Sequence, residues 1–488
     1  AGFVALFIGF GSLYTWQIAK QRNRAEQEAQ KSKAVSDYLI SLFKSTKPEY
    51  SKGDTITARQ LLKRGKQKIN RLSSQPTVQS RMLEVLGNIY SVLSYPKRAD
   101  TLLRRSLSIK ENLYNSSDPQ LASSYFSLAS NQSILGNYTI SEHLLDTTLS
   151  YQKKIYGENN SEVGKTLRLM SENLKKSGKI DSAYQTIRQS QSIFKTLGDT
   201  LSKEYLKTTM ELGSISISRG NYHEAQKVWI RSLRISKEIF DPPNPEILNC
   251  TNGLANAYKQ LNDFSKAESL YASSVRMTRK LYGENHINTA VTLNNLAGAY
   301  YYTEEYQKAD SLYDKSYSIL KKIVGPEHPY TISTLYNWAN LKADMGDLKN
   351  AKDIYTKVIT LDKSKYGKNH PDVASDYTGL ANLYQEQKKY DKALTYFKKS
   401  LVIRQKVYKN PNHPYIAFNE RSIAEIKGDL GQNDKAKQMF KAALKSLLIT
   451  YDEKHPEVRR TAKEYAQLLS NPNKLVTTDS LIKKFSMK

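Results

Sequence analysis

From residue 79 onward the chain repeats one arrangement of small, large apolar and polar positions. A small residue stands at Ala99, Ser141, Ala183, Ala225, Ala267, Ala309, Ala351, Ala393 and Ala436. The intervals are 42 residues seven times and then 43, the added residue falling within the stretch YKNPNHP. Twelve residues before each anchor is a second small residue, as at Gly213, Ala255, Ala297 and Ala339. It follows a large apolar one, as at Leu212, Leu254, Leu296 and Trp338. Four residues after the anchor the side chain is bulky, as at Trp229, Tyr271, Tyr313, Tyr355, Phe397 and Phe440. This pattern predicts two antiparallel helices per repeat. The small residues let the two backbones approach, and the bulky ones fill the gap to the next pair. Gly283, Gly325 and Gly367 end the second helix, and Pro329, Pro371, Pro414 and Pro456 begin the next first helix. Nine repeats are expected over 79–456, then a solvating helix over 457–470 and a mostly disordered basic tail over 471–488. The units around 141–225 are degenerate, with Ser141 at an alanine position.

Ahead of the repeats the patterning changes. Residues 1–19, AGFVALFIGFGSLYTWQIA, carry no charge. As a helix they would be about 28 Å long, close to the thickness of a bilayer's hydrocarbon core. Tyr14 and Trp16 stand near the end of the run, where interfacial aromatics belong. The run is too long for the core of a secretory signal and lacks a basic leader, so a single transmembrane helix is expected. Without an initiator Met, the sequence reads as a piece of a longer chain. Residues 20–46 read as a charged juxtamembrane helix open to coiled-coil pairing, and hence to a homodimer. Residues 47–78 read as a linker and an N-terminal capping helix.

Composition narrows the chemistry. The 488 residues include 22 Gly and 14 Pro, which suits long helices, and 34 Tyr, several of them at one repeat position. A single cysteine, Cys250, excludes an internal disulfide framework and any site built on several cysteines. The formal charge of +27 is spread along the chain rather than gathered in one patch, so no nucleic-acid partner is expected.

The small and large positions resemble the tetratricopeptide repeat, in its long 42-residue form as found in kinesin light chains. The resemblance implies an all-α fold, a superhelical α-solenoid of antiparallel helix pairs preceded here by the transmembrane helix. A second resemblance is carried by WQIAKQRNRAEQEAQKSKAVSDYLISLF, GDTITARQLLKRGKQKI and QPTVQSRMLEVLGNIY. Together they look like the juxtamembrane region of bacterial transmembrane serine/threonine protein kinases. That family implies a cytoplasmic kinase domain ahead of the membrane and repeats beyond it, outside the cytoplasm of the inner membrane. Lys20, Arg22, Arg24, Lys31 and Lys33 follow the span and would by the positive-inside rule lie in the cytoplasm. The family topology is favoured over this one-sided charge count.

No catalytic residue is assigned in this chain. It has no glycine-rich phosphate loop, no catalytic-loop Asp with its downstream Asn and no Asp-Phe-Gly. Gly164-Lys165-Thr166 imitates the end of a phosphate-binding loop but lies in a predicted helix with Asn159 at the first glycine position. His286, His328, His370, His413 and His455 recur with the repeat. Repeats about 10 Å apart cannot share one metal ion, so neither metal nor cofactor is expected. Asparagine is different. Asn256, Asn340 and Asn382 follow the small residue of the first helix, with Asn252, Asn294, Asn295 and Asn337 about one turn earlier or beside it. The resemblance places that stripe on the concave groove. Carboxamides both donate and accept, so such a ladder can hold an extended peptide backbone. The expectation is a membrane-anchored, signal-transducing protein that binds a protein or peptide ligand, the sensor or scaffold part of a bacterial transmembrane kinase. Two alternatives stay open: an intact polypeptide that is an active serine/threonine kinase, and a soluble adaptor scaffold.

Overall fold

In the computed structural model of the chain, Ile69 and residues 72–486 are described, apart from 94, 409, 452, 454 and 471–474. The expected transmembrane helix 1–19, the juxtamembrane helix 20–46 and most of the 47–78 segment lie outside the described residues. Among the described residues no helix is long and apolar enough to cross a membrane. All regular structure among them is helical.

The chain divides into two compact units at Thr200 and Leu201. In the first, α1 (Pro76–Val92) pairs with α2 (Pro96–Leu113), α3 (Pro119–Ile134) with α4 (Tyr138–Tyr156), and α5 (Ser161–Lys176) with α6 (Ile180–Thr196). In the second, α7 (Lys203–Ser218) pairs with α8 (Tyr222–Ile239), α9 (Pro245–Gln260) with α10 (Phe264–Tyr282), and α11 (Ile287–Tyr302) with α12 (Tyr306–Ile323). Three more pairs follow: α13 (Pro329–Asp344) with α14 (Leu348–Tyr366), α15 (Pro371–Glu386) with α16 (Tyr390–Val407), and α17 (Pro414–Asp429) with α18 (Asn433–Thr450). Within each unit every pair packs on the next in sequence. The second unit closes with α19 (Pro456–Leu469) and α20 (Thr478–Ser486).

The helix α20 corrects the expectation of a disordered tail over 471–488. Leu481 and Ile482 are buried against the core that holds Phe440, Leu444 and Tyr465, with Phe485 packed beside them. Three apolar residues in nine, spaced one and three apart, are enough to dock one short helix. The solvating helix expected over 457–470 is thus itself covered on one side.

The anchors behave as their size requires. Ala99, Ala183, Ala225, Ala267, Ala309, Ala351, Ala393 and Ala436 are all 0% exposed. Ser141 is equally buried because its hydroxyl is satisfied. It donates to the Ala129 carbonyl at 2.7 Å and accepts from Asn173 Nδ2 at 2.8 Å. Trp229 is wedged between two glycines of neighbouring first helices. A Cβ on Gly213 would lie 2.7 Å from its ring, and one on Gly253 only 2.5 Å.

A second ladder runs through the joints between pairs. At five joints a polar residue near the end of a second helix meets one, 14 positions on, in the next first helix. These rungs are Lys110 with Ser124 (2.8 Å), Gln152 with Thr166 (2.7 Å), and Arg404 with Asn419 (2.5 Å); the last is offset by the inserted residue. Other joints hold Ser236 with Cys250 and Asp362 with Asp376. All ten side chains are buried. Lys110 also bonds Glu84 at 2.5 Å, so its charge is neutralised inside the core.

Within the second unit, the turn between α7 and α8 meets the start of α19. A Cβ on Gly220 would lie 2.6 Å from Cδ2 of His455.

Candidate ligand-binding groove

Each first helix starts at one recurring capping position. Asp118 and Asn160 accept the backbone N–H two residues on through their side-chain oxygens, both at 2.8 Å, and Asn244 does the same. The five histidines occupy this slot in the later repeats. Nδ1 of His286 accepts the Asn288 amide at 3.1 Å, and His328, His370, His413 and His455 repeat the bond at 3.2–3.3 Å. The preceding tyrosine stacks on four of these rings, Tyr408 on His413 with centroids 3.6 Å apart and Tyr451 on His455 at 3.8 Å. The histidines therefore open helices. Among the described residues, no group of three histidine, cysteine or acidic side chains could hold a metal ion.

The asparagine stripe lies on the first helices α9, α11, α13 and α15, and its members differ in what they hold. The hydroxyl of Tyr271, four residues past the Ala267 anchor, donates to Asn256 Oδ1 at 2.5 Å. Tyr355 makes the same bond to Asn340. In the repeat between them glycine replaces asparagine, and a Cβ on Gly298 would sit 3.6 Å from the Tyr313 hydroxyl. In the next repeat the bulky residue is Phe397, which has no hydroxyl, and Asn382 is exposed. Asn337 Nδ2 reaches across to Asn294 Oδ1 on the neighbouring first helix at 3.2 Å, and Asn294 Nδ2 donates to Asn295 at 3.4 Å. Asn252 is half-buried, with its Oδ1 enclosed and without a hydrogen-bond partner among the described residues.

The residues following the stripe line a cavity of about 550 Å³ along α15, α17 and α19. Asn382 and Glu425, one repeat apart at the same position, both face it, as do Arg421, Arg460, Glu386 and Glu457. Arg421 is buried and held by Glu464 at 3.0 Å, with Glu457 at 3.7 Å. Burial raises the Glu386 carboxyl above its ordinary range, with Asp344 adding to the effect. The sequence pattern located Asn382. It did not locate Arg421, because the signal is an ion pair with a residue 43 positions away on the next first helix.

Residues 204–280, 266–322, 288–364, 330–406 and 377–448 match the tetratricopeptide repeat family. Together these segments run from 204 to 448, half of the chain, and the chain belongs to that family. A search of curated proteins finds no match. Among solved structures, a Rap protein complexed with Competence and Sporulation Factor is similar in fold, with a TM-score of 0.52 at 14% identity, over 78% of this chain and 99% of its own. The quorum sensor NprR from B. thuringiensis, in its apo form, has a TM-score of 0.52 at 13% identity, over 77% of this chain and 99% of its own. A putative kinesin light chain from Podosopora anserina with nearly identical TPR-like repeats is 21% identical over 42% of this chain and 97% of its own, with a TM-score of 0.37.

Proposed function

We propose that the first-helix face of the second unit binds an extended protein or peptide segment, with asparagine carboxamides holding its backbone. The observation that carries this is the linked set Asn294, Asn295 and Asn337, continued by exposed Asn382 at the edge of a polar cavity. Asn256 and Asn340 use their carbonyl oxygens on tyrosines, which orients the carboxamides and leaves the NH2 groups to donate. The Rap protein similar in fold is itself complexed with a factor, and NprR is a quorum sensor. This chain is read as a non-catalytic receptor of the same general kind.

In this reading residues 1–19 anchor the chain in a bacterial inner membrane with the repeats outside the cytoplasm, and 20–46 pair two copies. A serine/threonine kinase domain ahead of the membrane would then receive the signal. The support is the apolar run and the juxtamembrane resemblance. The test of binding is to capture a partner from the source's extracytoplasmic fraction and titrate it against the combined variant Asn295→Ala, Asn337→Ala and Asn340→Ala. Each amide–backbone bond contributes roughly 0.5–1.5 kcal/mol, so binding should be nearly lost. Unchanged affinity in a folded triple variant moves the binding surface elsewhere. Recovery of the chain from the soluble fraction would favour the adaptor reading over the anchored one.

A further inference from the structure

The joint between α14 and α15 differs from the other polar joints described above. Its rung is a pair of aspartates, Asp362 and Asp376, 3% and 4% exposed. Among the described residues neither carboxylate has a cation within ion-pair distance, and Asp376 Oδ2 is enclosed without a hydrogen-bond partner. At the next joint a guanidinium occupies the same position, where Arg404 bonds the Tyr415 carbonyl and Asn419 Oδ1. The aspartate joint instead opens on a cavity of about 440 Å³. Its lining includes both aspartates, Asp372, and the side chains of Tyr330, Tyr336 and Tyr366. Aromatic faces attract a cation through their quadrupole, and paired carboxylates match the planar fork of a guanidinium. An ammonium, more strongly hydrated, fits such a site less well.

We propose that this cavity is a binding site for a guanidinium group on an aliphatic stem, supplied either by a small molecule or by an arginine of a bound peptide. The peptide source rests on the groove reading above, since the lining residues Ser333 and Ser375 lie on the same helical stripes as Asn337 and Asn382. Without a cation the aspartate pair is expected to share a proton, because burial raises both carboxyls, Asp376 to about 9. The charged groups facing the pair are Asp372, which raises it, and Lys365 and His370, which lower Asp362. Arg404 acts on Tyr336 from behind. Entry of the cation breaks the O–H bond of the protonated carboxyl and releases that proton to water. It leaves two carboxylates accepting N–H bonds from the guanidinium.

The experiment is calorimetric titration of agmatine into the full chain at neutral pH, in phosphate and in Tris. Expected are saturable binding and a buffer-dependent enthalpy that reports roughly one proton released per agmatine. Carbamoylputrescine, of the same shape and with the same terminal ammonium but with a neutral ureido group in place of the guanidinium, should bind at least about tenfold more weakly to the unmodified protein. Asp376→Asn should cause a similar loss and abolish the buffer dependence, and Tyr330→Ala, on an exposed wall, should weaken binding severalfold. A parallel arm uses an acetylated pentapeptide with a central arginine and its citrulline counterpart. Equal binding of agmatine and carbamoylputrescine together with arginine-independent peptide binding overturns the proposal, as does the absence of binding by agmatine and by the arginine peptide. If Asp376 governs both ligands while the triple asparagine variant leaves the peptide unaffected, the cavity stands and the groove reading falls.

Discussion

At the scale of single residues, the structure separates side chains that look alike in sequence. Asn256 and Asn340 are tied to tyrosine hydroxyls, whereas Asn382 is exposed beside a phenylalanine. Alanine at Asn256 or Asn340 strands the hydroxyl of a buried tyrosine and should cost roughly 1 kcal/mol of stability or more. Asn382→Ala should change stability by well under that amount. Thermal melts of the three variants check this, and equal midpoints would remove the tyrosine bonds from the account. Around Trp229 the effect is steric. Gly253→Ala would put a methyl 2.5 Å from the indole, and such overpacking costs about 1–3 kcal/mol. A denaturant midpoint matching the parent protein would show that the indole can move aside.

At the scale of helices, capping links stability to pH. An Nδ1 that accepts an amide N–H must be unprotonated, and the positive end of the helix dipole also disfavours the imidazolium. For His328 and His413 burial lowers the pKa below the ordinary 6.5, with the charges of Lys365 and Arg404 respectively adding to it. A depressed folded-state value means this stability is fully present above 6.5. It is lost as the pH falls through the folded-state values, where the unfolded chain takes up protons first. Melting temperature should therefore drop on acidification below 6.5, and His328→Asn with His413→Asn, which keep a capping acceptor, should flatten that slope. An unchanged slope in the double variant would assign the pH dependence to other groups. The helices themselves were legible: the 42-residue spacing of small residues, the glycines and the prolines mark every second-unit pair. The histidine caps were legible only as a recurring slot, since the accepting nitrogen is set by ring orientation. The tyrosine–asparagine bonds span 15 residues and the asparagine bridge 43. Those distances acquire meaning only once the face of each helix is known. Helix α20 was missed because a nine-residue helix draws its stability from the surface it docks on, not from its own sequence.

At the scale of the whole molecule, stability in each unit comes from successive neighbours, as in other repeat proteins. The approach of Gly220 to His455 is an exception, joining residues more than five repeats apart. Gly220 and Gly431 both have positive φ, +76° and +72°, but nothing lies within 4 Å of a Cβ on Gly431. Alanine at either site incurs the same left-handed strain, about 1 kcal/mol. Gly220→Ala should therefore destabilise the protein more than Gly431→Ala, and chemical denaturation of the two variants measures the difference. Equal losses would show that the histidine simply turns away. The buried rungs carry a further consequence, for how such a chain can evolve. Duplication and recombination build solenoids by copying units, and a loss of residues 371–413 would rejoin His370 to Pro414 with the capping slot intact. Yet it would set Asp362 against Asn419 and discard Arg404, so the two surfaces brought together would never have been selected as a pair. Units that share one outline are thus not interchangeable here, and their order along the chain is itself inherited information.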